Sequence, residues 1–249
     1  MVYSTARWLA ERGDLRQGSD VARRRSLFRI LARGVLLAGL ALIALFIALV
    51  SLYPVAPPVS TLMLARLVEG KGYARTYVRL KDVAPVAIAS VVASEDASFC
   101  ENDGVDWGAL REVLSNTGGR GPSRGASTIT MQTAKNLFLW PGRSVIRKAV
   151  EIPIALVLGK IWSKRRTMEV YLNVAEWGDG IYGVEAASRR YFHKSASELD
   201  ADEGALLAVS LPNPIRRNPA RPTLFQRRLA AIVEARALVS AEQLHCLTR

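Results

Sequence analysis

Two glutamates in this sequence stand in apolar runs, where a carboxylate needs either a partner or a chemical task. The first is Glu95, which follows the run VAPVAIASVVA. Ile88, Val91 and Glu95 share one helical face at three- and four-residue spacing, so Glu95 takes the next position on an apolar face. Partial burial there would raise its pKa and strengthen it as a base. Periodicity alone nevertheless favours a simpler interpretation, a helix end that turns into solvent.

The second is Glu151, inside the run AVEIPIALVLG, which contains Pro153 and is too short to span a membrane. Arg147 lies one helical turn before it, and Lys148 is the next residue. One interpretation is an ordinary surface ion pair, worth about 0.2–0.5 kcal/mol. The other is a functional carboxylate among cations, because a charge in such a run requires compensation.

A basic cluster precedes this second glutamate, with four cations within about fourteen residues and no acid among them. Its members are Lys135, Arg143, Arg147 and Lys148. Such groups suit phosphate oxygens, and together they could hold a diphosphate and stabilise its charge as it leaves. A solvated basic face is the alternative. The segment lacks the P-loop pattern and the interleaved aromatic residues of a single-strand nucleic-acid groove, so we predict no nucleic-acid partner.

Composition narrows the chemistry further. The net charge of +12 indicates an anionic partner, which composition alone leaves open between nucleic acid, anionic lipid and a phosphorylated substrate. His193 and His245 are the two histidines of the sequence, which argues against a histidine-based metal cluster and a Ser-His-Asp triad. We therefore predict no dedicated metal site.

An uncharged apolar segment near the N-terminus predicts a transmembrane helix over residues 34–53. At about 1.5 Å per residue, it can cross a hydrocarbon core of roughly 30 Å. Arginines crowd the preceding residues, and the next charge is Arg66, so the positive-inside rule places the N-terminus in the cytoplasm and the rest outside. A cleaved signal peptide is the alternative, but the run exceeds the usual h-region and no small-x-small site precedes Pro54.

These features divide the chain into four parts. Residues 1–33 form an Arg-rich tail that we expect to be mobile, and residues 54–80 form a membrane-proximal linker or jaw segment. The segment TLMLARLVEGKGY could lie on the membrane surface or pack onto the domain. Residues 81–249 form a mostly helical globular domain. Beyond a helix that starts near Asp82 and Pro85, apolar periodicity predicts helices at 107–114, 128–137, 145–162, 167–174, 184–192, 201–209 and 224–239.

Two glycine-rich stretches, residues 115–125 and 176–183, interrupt this helical pattern. Each is open to two interpretations, a mobile loop that gates a substrate site and an ordinary flexible connector. Cys100 and Cys246 are the two cysteines of the sequence. Whether they pair is left open, because a sequence gives no Cα separation.

Five motifs occur together, in order and at the approximate spacing of one family. They are EDASF, GASTITMQTAKNLF, RKAVE, KRRTMEVYLNVAEWGDGIYGVEAASRRYF and ALLAVSLPNP. Over residues 82–222 the sequence closely resembles the monofunctional biosynthetic peptidoglycan glycosyltransferases, which share a catalytic domain with class A penicillin-binding proteins. The resemblance implies a lysozyme-like, mostly α fold with a membrane-proximal jaw subdomain. It also implies polymerisation of lipid II into β-1,4-linked glycan with release of undecaprenyl diphosphate.

The resemblance assigns roles residue by residue. Glu95 matches the general base, and Glu151 matches the second glutamate, near the donor and its leaving diphosphate. Lys135, Arg143, Arg147 and Lys148 match diphosphate-binding positions. Asp96 is the neighbour of the base in the first motif, and Ser127, Thr128 and Gln132 match the substrate-lining second motif.

Two departures from the family pattern stand out. Asn102 occupies the place of the first-motif histidine, and Met131 replaces the first of two paired glutamines. Neither removes a proposed base or cation, so we expect activity. A lytic muramidase and a catalytically weak cell-wall interaction protein remain the alternatives.

The resemblance also implies a setting for the protein. It places the chain in the bacterial inner membrane, with its catalytic domain in the periplasm and with membrane lipid, the nascent glycan strand and cell-wall synthesis or division proteins as partners. No cofactor is required, although Mg²⁺ or Mn²⁺ could bridge the diphosphate and Glu151.

Overall fold

A computed structural model describes residues 3–115, 127–142, 144–240 and 244–248, which divide into two units, residues 1–52 and 53–249. The first unit is helix α1, Tyr3–Leu52. Within it, Phe28–Leu52 has a mean hydropathy of 2.9 and is long and apolar enough to cross a membrane. This supports the predicted single-pass anchor. The Arg-rich tail before it has a helical backbone from Tyr3 onward, and its cytoplasmic location stays a prediction.

The second unit is mostly helical, as predicted. Its α-helices are α2 (Thr61–Val68), α3 (Pro85–Glu95), α4 (Trp107–Ser115), α5 (Ile129–Phe138), α6 (Val145–Ile161), α7 (Lys164–Val174), α8 (Val184–Phe192), α9 (Ala201–Ser210), α10 (Leu224–Ser240) and α11 (His245–Thr248). Short 3-10 turns at Leu80–Asp82 and Ala196–Glu198 precede α3 and α9. The predicted bounds deviate most at the start of α7, where Ser163 caps the helix by accepting the Arg166 N–H at 3.2 Å.

Local signals also fix where the other helices of the site begin. Thr128 Oγ1 accepts the Met131 N–H at 3.1 Å before α5, and Ser144 Oγ accepts the Arg147 N–H at 3.0 Å before α6. Each of these bonds satisfies a donor that the first helical turn leaves open. Helix α3 begins at Pro85, whose missing N–H costs nothing at that position.

Helix α3 lies at the centre of the core. It packs against α9 and α10, and its residues 87–93 are all buried. A helix that is apolar all round suits such a position. Helix α5 packs against α6 and α7. The chain thus places the C-terminal end of a buried helix next to a second helical layer.

The second glycine-rich stretch forms a hairpin rather than a loose loop. Its strands are β2 (Glu176–Gly178) and β3 (Ile181–Tyr182), which pair in antiparallel fashion, and β3 also pairs in parallel with β1 (Ala74–Arg75). Asp179, at the turn, accepts a bond from Arg66 Nη1 at 2.6 Å. The stretch is therefore an ordered part of the domain. The first glycine-rich stretch lies outside the described residues beyond Ser115.

Helix α2 packs onto the domain with one face. Thr61 Oγ1 donates to the Leu139 carbonyl oxygen at 2.6 Å, next to the end of α5. The opposite face exposes Leu64, Leu67 and Val68, whose exposed fractions are 51%, 55% and 90%. The packing interpretation of this segment is confirmed, and an apolar face remains outside it.

The two cysteines form a disulfide, which settles the pairing that the sequence left open. Cys100 and Cys246 have Cα atoms 5.6 Å apart. The bond joins the loop after α3 to α11, across 146 residues of sequence.

Candidate active site

Glu95 is the last residue of α3, and neighbouring helices hold its carboxylate. Gln132 Nε2, on α5, donates to Glu95 Oε2 at 2.9 Å. Tyr171, on α7, donates its hydroxyl to Gln132 Oε1 at 3.0 Å, which fixes the amide with its donor side towards Glu95. Ser94 Oγ donates to Oε1 at 3.3 Å. The Oε1 atom is thus the less strongly bound of the two carboxylate oxygens.

The surroundings make Glu95 a stronger base than a solvated glutamate. Burial raises its pKa, and hydrogen bonds from Gln132 and Ser94 and the charges of Lys135 and Arg217 oppose that rise only in part. The side chain is nevertheless partly exposed, because it lines a cleft of about 630 Å³. A base that is desolvated yet open to a cleft can reach a substrate proton.

The cleft brings several of the predicted residues together. It is lined by Glu95, Asp96, Ser127, Thr128 and Gln132, together with Ser98, Glu101, Asp106, Pro212 and Arg236, among others. The second group was not expected from the sequence.

Asp96 and Thr128 are largely occupied by bonds within the protein. Asp96 is 6% exposed, and its Oδ2 accepts the Ile129 N–H at 3.0 Å. Thr128 Oγ1 donates to the Gly104 carbonyl oxygen at 2.6 Å. Both bonds join the loop after α3 to the start of α5. Their contact with a substrate stays a prediction.

Asn102, at the place of the family histidine, links two parts of the same loop through hydrogen bonds. Its Nδ2 donates to Asp96 Oδ1 at 3.0 Å, and its Oδ1 accepts the Gly104 N–H at 3.0 Å. Lys164 Nζ donates to the Asn102 carbonyl oxygen. Met131, the other departure, is 0% exposed and belongs to the core. Both departures therefore fall on positions that hold the fold around Glu95.

Glu151 has a different environment, because it is 2% exposed and surrounded by cations. Arg147 Nη1 forms an ion pair with its Oε1, and Lys148 Nζ lies 3.2 Å from its Oε2. Lys148 Nζ also donates to Ser127 Oγ at 2.9 Å. The Arg147–Glu151 pair is buried, so the surface ion pair suggested by the spacing is wrong.

Lys135, on α5, is close enough to both carboxylates for each to act on its charge. Burial lowers its pKa, as do Arg147 and Lys148, whereas Glu151 and, more weakly, Glu95 raise it. Three of the four predicted cations thus share one neighbourhood. The fourth, Arg143, lies outside the described residues.

The loop that follows Glu95 packs directly on α6, the helix that carries Glu151. Gly104 has φ +105°, and a Cβ there would lie 2.4 Å from the Ala155 carbonyl oxygen, one turn beyond Glu151. A Cβ on Gly159 would lie 2.2 Å from the Asp103 carbonyl oxygen. Only glycine allows both approaches. The loop that follows Glu95 is therefore held against the helix that carries Glu151.

Comparison with known proteins identifies the family. The sequence model of the transglycosylase family matches residues 62–237. The chain belongs to the transglycosylase family. It is accordingly an enzyme that transfers glycosyl groups, and its domain has the lysozyme-like fold that the motifs implied.

Several relatives of this transglycosylase-family protein are named biosynthetic peptidoglycan transglycosylases. The protein of Brucella suis biovar 1 is 51% identical over 212 residues, which cover 85% of this chain and 95% of the relative. That of Agrobacterium fabrum is 50% identical over 222 residues, or 88% and 98% of the two chains. That of Rhizobium meliloti is 50% identical over 241 residues, or 97% and 98%. The resemblance inferred from the five motifs is confirmed.

The residues that the sequence did not reveal act through other side chains. Tyr171 orients Gln132, and Lys164 bonds Asn102. Both lie within the fourth motif, but helical periodicity shows only which face a residue occupies, not which side chain it meets.

Proposed function

We propose that this enzyme polymerises lipid II, a disaccharide-pentapeptide on undecaprenyl diphosphate, into β-1,4-linked glycan strands of peptidoglycan. The observation that carries the proposal is the partly exposed carboxylate of Glu95, which has a raised pKa and lines a cleft beside a cluster of cations. Relatives with about half of their residues identical are named biosynthetic peptidoglycan transglycosylases, which supports the same substrate class.

In this reaction Glu95 acts as the general base. Its Oε1 takes the proton of the acceptor 4-hydroxyl, and that oxygen forms a bond to the anomeric carbon of the donor sugar. The bond from this carbon to the diphosphate oxygen breaks, and its electron pair leaves with undecaprenyl diphosphate. The anomeric configuration inverts. Base catalysis of this kind contributes a factor of about 10²–10⁴ to the rate.

The cations around Glu151 serve the leaving group. Lys135, Arg147 and Lys148 bring positive charge to one place, where it lowers the free energy of the departing diphosphate. Glu151 holds Arg147 and Lys148 in position through ion pairs. A muramidase that cleaves a neutral glycan would have no use for such a cluster, which favours polymerisation. The reaction as written needs no metal ion, although Mg²⁺ or Mn²⁺ could assist at the diphosphate.

The location of the protein follows from the lipid carrier of the proposed substrate and from the N-terminal transmembrane helix. We place the N-terminus in the cytoplasm and the domain in the periplasm, because arginines precede the apolar part of α1. The Cys100–Cys246 disulfide fits an oxidising compartment. The exposed apolar face of α2 suits contact with membrane lipid. Cell-wall synthesis or division proteins are the expected protein partners.

A turnover assay tests the proposal. The detergent-solubilised full chain is incubated with labelled lipid II, alongside Glu95→Gln and the control Glu101→Gln, an exposed glutamate of the same cleft. We expect glycan chains from the wild type and Glu101→Gln and none from Glu95→Gln. Shortening of preformed glycan would instead identify a muramidase, and no turnover by any of the three would identify an interaction protein.

A further inference from the structure

The C-terminal segment, residues 244–248, is attached to the domain by one covalent bond and by noncovalent contacts, including those of α11 with α7. Cys246 bonds to Cys100, and the Leu247 carbonyl oxygen accepts a bond from Arg165 Nη1 at 3.0 Å. The Leu247 side chain is 7% exposed and belongs to the core. The disulfide is the one covalent cross-link among the described residues.

This segment contacts α7 and also lies beside α3, the helix that ends in Glu95. Leu244 and Leu247 line an apolar cavity of about 330 Å³ together with Val86 and Ala89, which lie in the N-terminal half of α3. Cys100, by contrast, lies in the loop after the C-terminal end of that helix. The C-terminal segment, which we call the strap, thus lies beside the N-terminal half of α3, and its disulfide reaches the loop after that helix. Because the cavity borders Leu244 and Leu247, these side chains lack part of the dispersion contacts of a filled core, and the disulfide adds a covalent attachment beside them.

A short path of contacts leads from the disulfide to the base. Phe99, the neighbour of Cys100, is 0% exposed. Asp96, three residues earlier, accepts the Ile129 N–H at the start of α5. Helix α5 carries Gln132, whose amide holds Glu95 Oε2 at 2.9 Å. A shift of the loop at Cys100 is therefore transmitted to both ends of the bond that orients the base.

We propose that the Cys100–Cys246 disulfide is a positioning element for Glu95, and that full catalytic activity requires the bond to be intact. This inference rests on the proposed function, because it concerns the same base. Neither cysteine touches the reacting atoms. Their task is to tie the strap to the loop after α3, so that the base stays in the geometry that turnover requires.

The same arrangement makes the enzyme sensitive to dithiol reductants. A dithiol attacks the disulfide, two electrons and two protons pass to Cys100 and Cys246, and the dithiol becomes a disulfide. Both cysteines then carry thiols, and the strap keeps only its noncovalent contacts with the domain, among them the Arg165 bond and the buried Leu247 side chain. Reoxidation restores the bond.

The test compares the full wild-type chain with Cys246→Ser, which leaves the sequence of the catalytic loop unchanged. Turnover of lipid II is measured below the unfolding temperature of both proteins. We expect kcat to fall about tenfold with KM unchanged, since a small misplacement of a catalytic group lowers turnover without removing substrate contacts. Reduced wild type should match the variant and recover on reoxidation, whereas reductant should not affect Cys246→Ser. Equal kcat values in oxidised wild type, reduced wild type and variant would overturn the inference.

A second measurement needs no substrate. Hydrogen exchange at the amides of residues 92–104 should be faster in Cys246→Ser and in reduced wild type than in the oxidised protein. Unchanged hydrogen exchange would contradict the positioning role of the disulfide even if the variant folds poorly. If wild type polymerises lipid II but neither measurement changes, the inference fails and the proposed function stands. If exchange rises but wild type makes no glycan, the proposed function fails instead.

Discussion

Glu95 and Glu151 are both withdrawn from water, yet their surroundings differ in kind. A neutral amide and a serine hydroxyl bond Glu95, and the nearest cations act on it only at longer range. Glu151 is 2% exposed and forms ion pairs with Arg147 and Lys148. The first carboxylate lines an open cleft, whereas the second lies inside α6 among its own cations.

This difference in surroundings shows how two glutamates in one candidate site can have different chemical properties. Desolvation without a charged partner strengthens a carboxylate as a base, as at Glu95. Direct ion pairs instead commit a carboxylate to holding cations in place, as at Glu151. Glu95 is thus suited to proton transfer and Glu151 to the organisation of charge. Removing the negative charge should therefore affect stability in opposite directions at the two positions.

The largest expected effect on stability is that of Glu151→Gln. The substitution leaves Arg147 buried without its carboxylate, so we expect the free energy of unfolding to fall by about 3–5 kcal/mol. Chemical denaturation of the detergent-solubilised protein measures it. Asp82→Asn, which removes the partner of Arg79 in an exposed pair, should change stability by less than about 1 kcal/mol. Equal small losses in both variants would remove the contrast between the two glutamates.

A smaller effect is expected from Lys148→Met, which sharpens the assignment of cations to the Glu151 side. Loss of one charge-assisted contact to phosphate corresponds to about 1.5–3 kcal/mol, or at least about tenfold in affinity. A binding titration with undecaprenyl diphosphate in detergent measures it. Lys160→Met alters an exposed lysine on the same helix and should leave affinity unchanged. If both variants bind equally well, the cluster does not hold the diphosphate.

The smallest effect is a gain in stability in Glu95→Gln. The Gln132 amide, which donates to Glu95 at 2.9 Å, can still donate to the amide oxygen of the new side chain. Burial raises the folded-state pKa of Glu95 above its unfolded value, so its ionised form destabilises the fold above that pKa. We expect the variant to gain about 0.5–2 kcal/mol at neutral pH. The gain should disappear as the pH falls through the raised pKa. Thermal unfolding as a function of pH tests this, and a loss of stability at neutral pH would contradict it.

Much of the helical framework could be predicted from the sequence, because periodicity and caps are local. The bounds of α8 were predicted without error, whereas α7 begins three residues earlier than periodicity indicated. Its first turn, Lys164-Arg165-Arg166, is basic and has no apolar residue to show the pattern. The hairpin at 176–183 was missed because its strands, of three and two residues, are too short to show an alternating pattern. The pairing of β3 with β1 was missed for another reason, since it joins segments far apart in sequence.

The sequence placed several residues that meet around the candidate site, but it did not show how their side chains contact one another. The motifs identified Glu95, Gln132 and Glu151 together, yet they did not show that Gln132 bonds the first glutamate. They also assigned substrate contact to Thr128, whose hydroxyl is engaged by the backbone. Which partner a side chain bonds depends on contacts between segments far apart in sequence, and a single sequence does not show those contacts.

The pH dependence of turnover tests the central claim, that Glu95 acts as a desolvated general base. Because burial raises its pKa, kcat should fall as the pH decreases through a value above that of an ordinary glutamate. Gln132→Met removes a bond that lowers this pKa, so the acid limb should move to higher pH, whereas Glu101→Gln should leave it in place. An acid limb that is unchanged in Gln132→Met, or a kcat that is independent of pH throughout this range, would contradict the account.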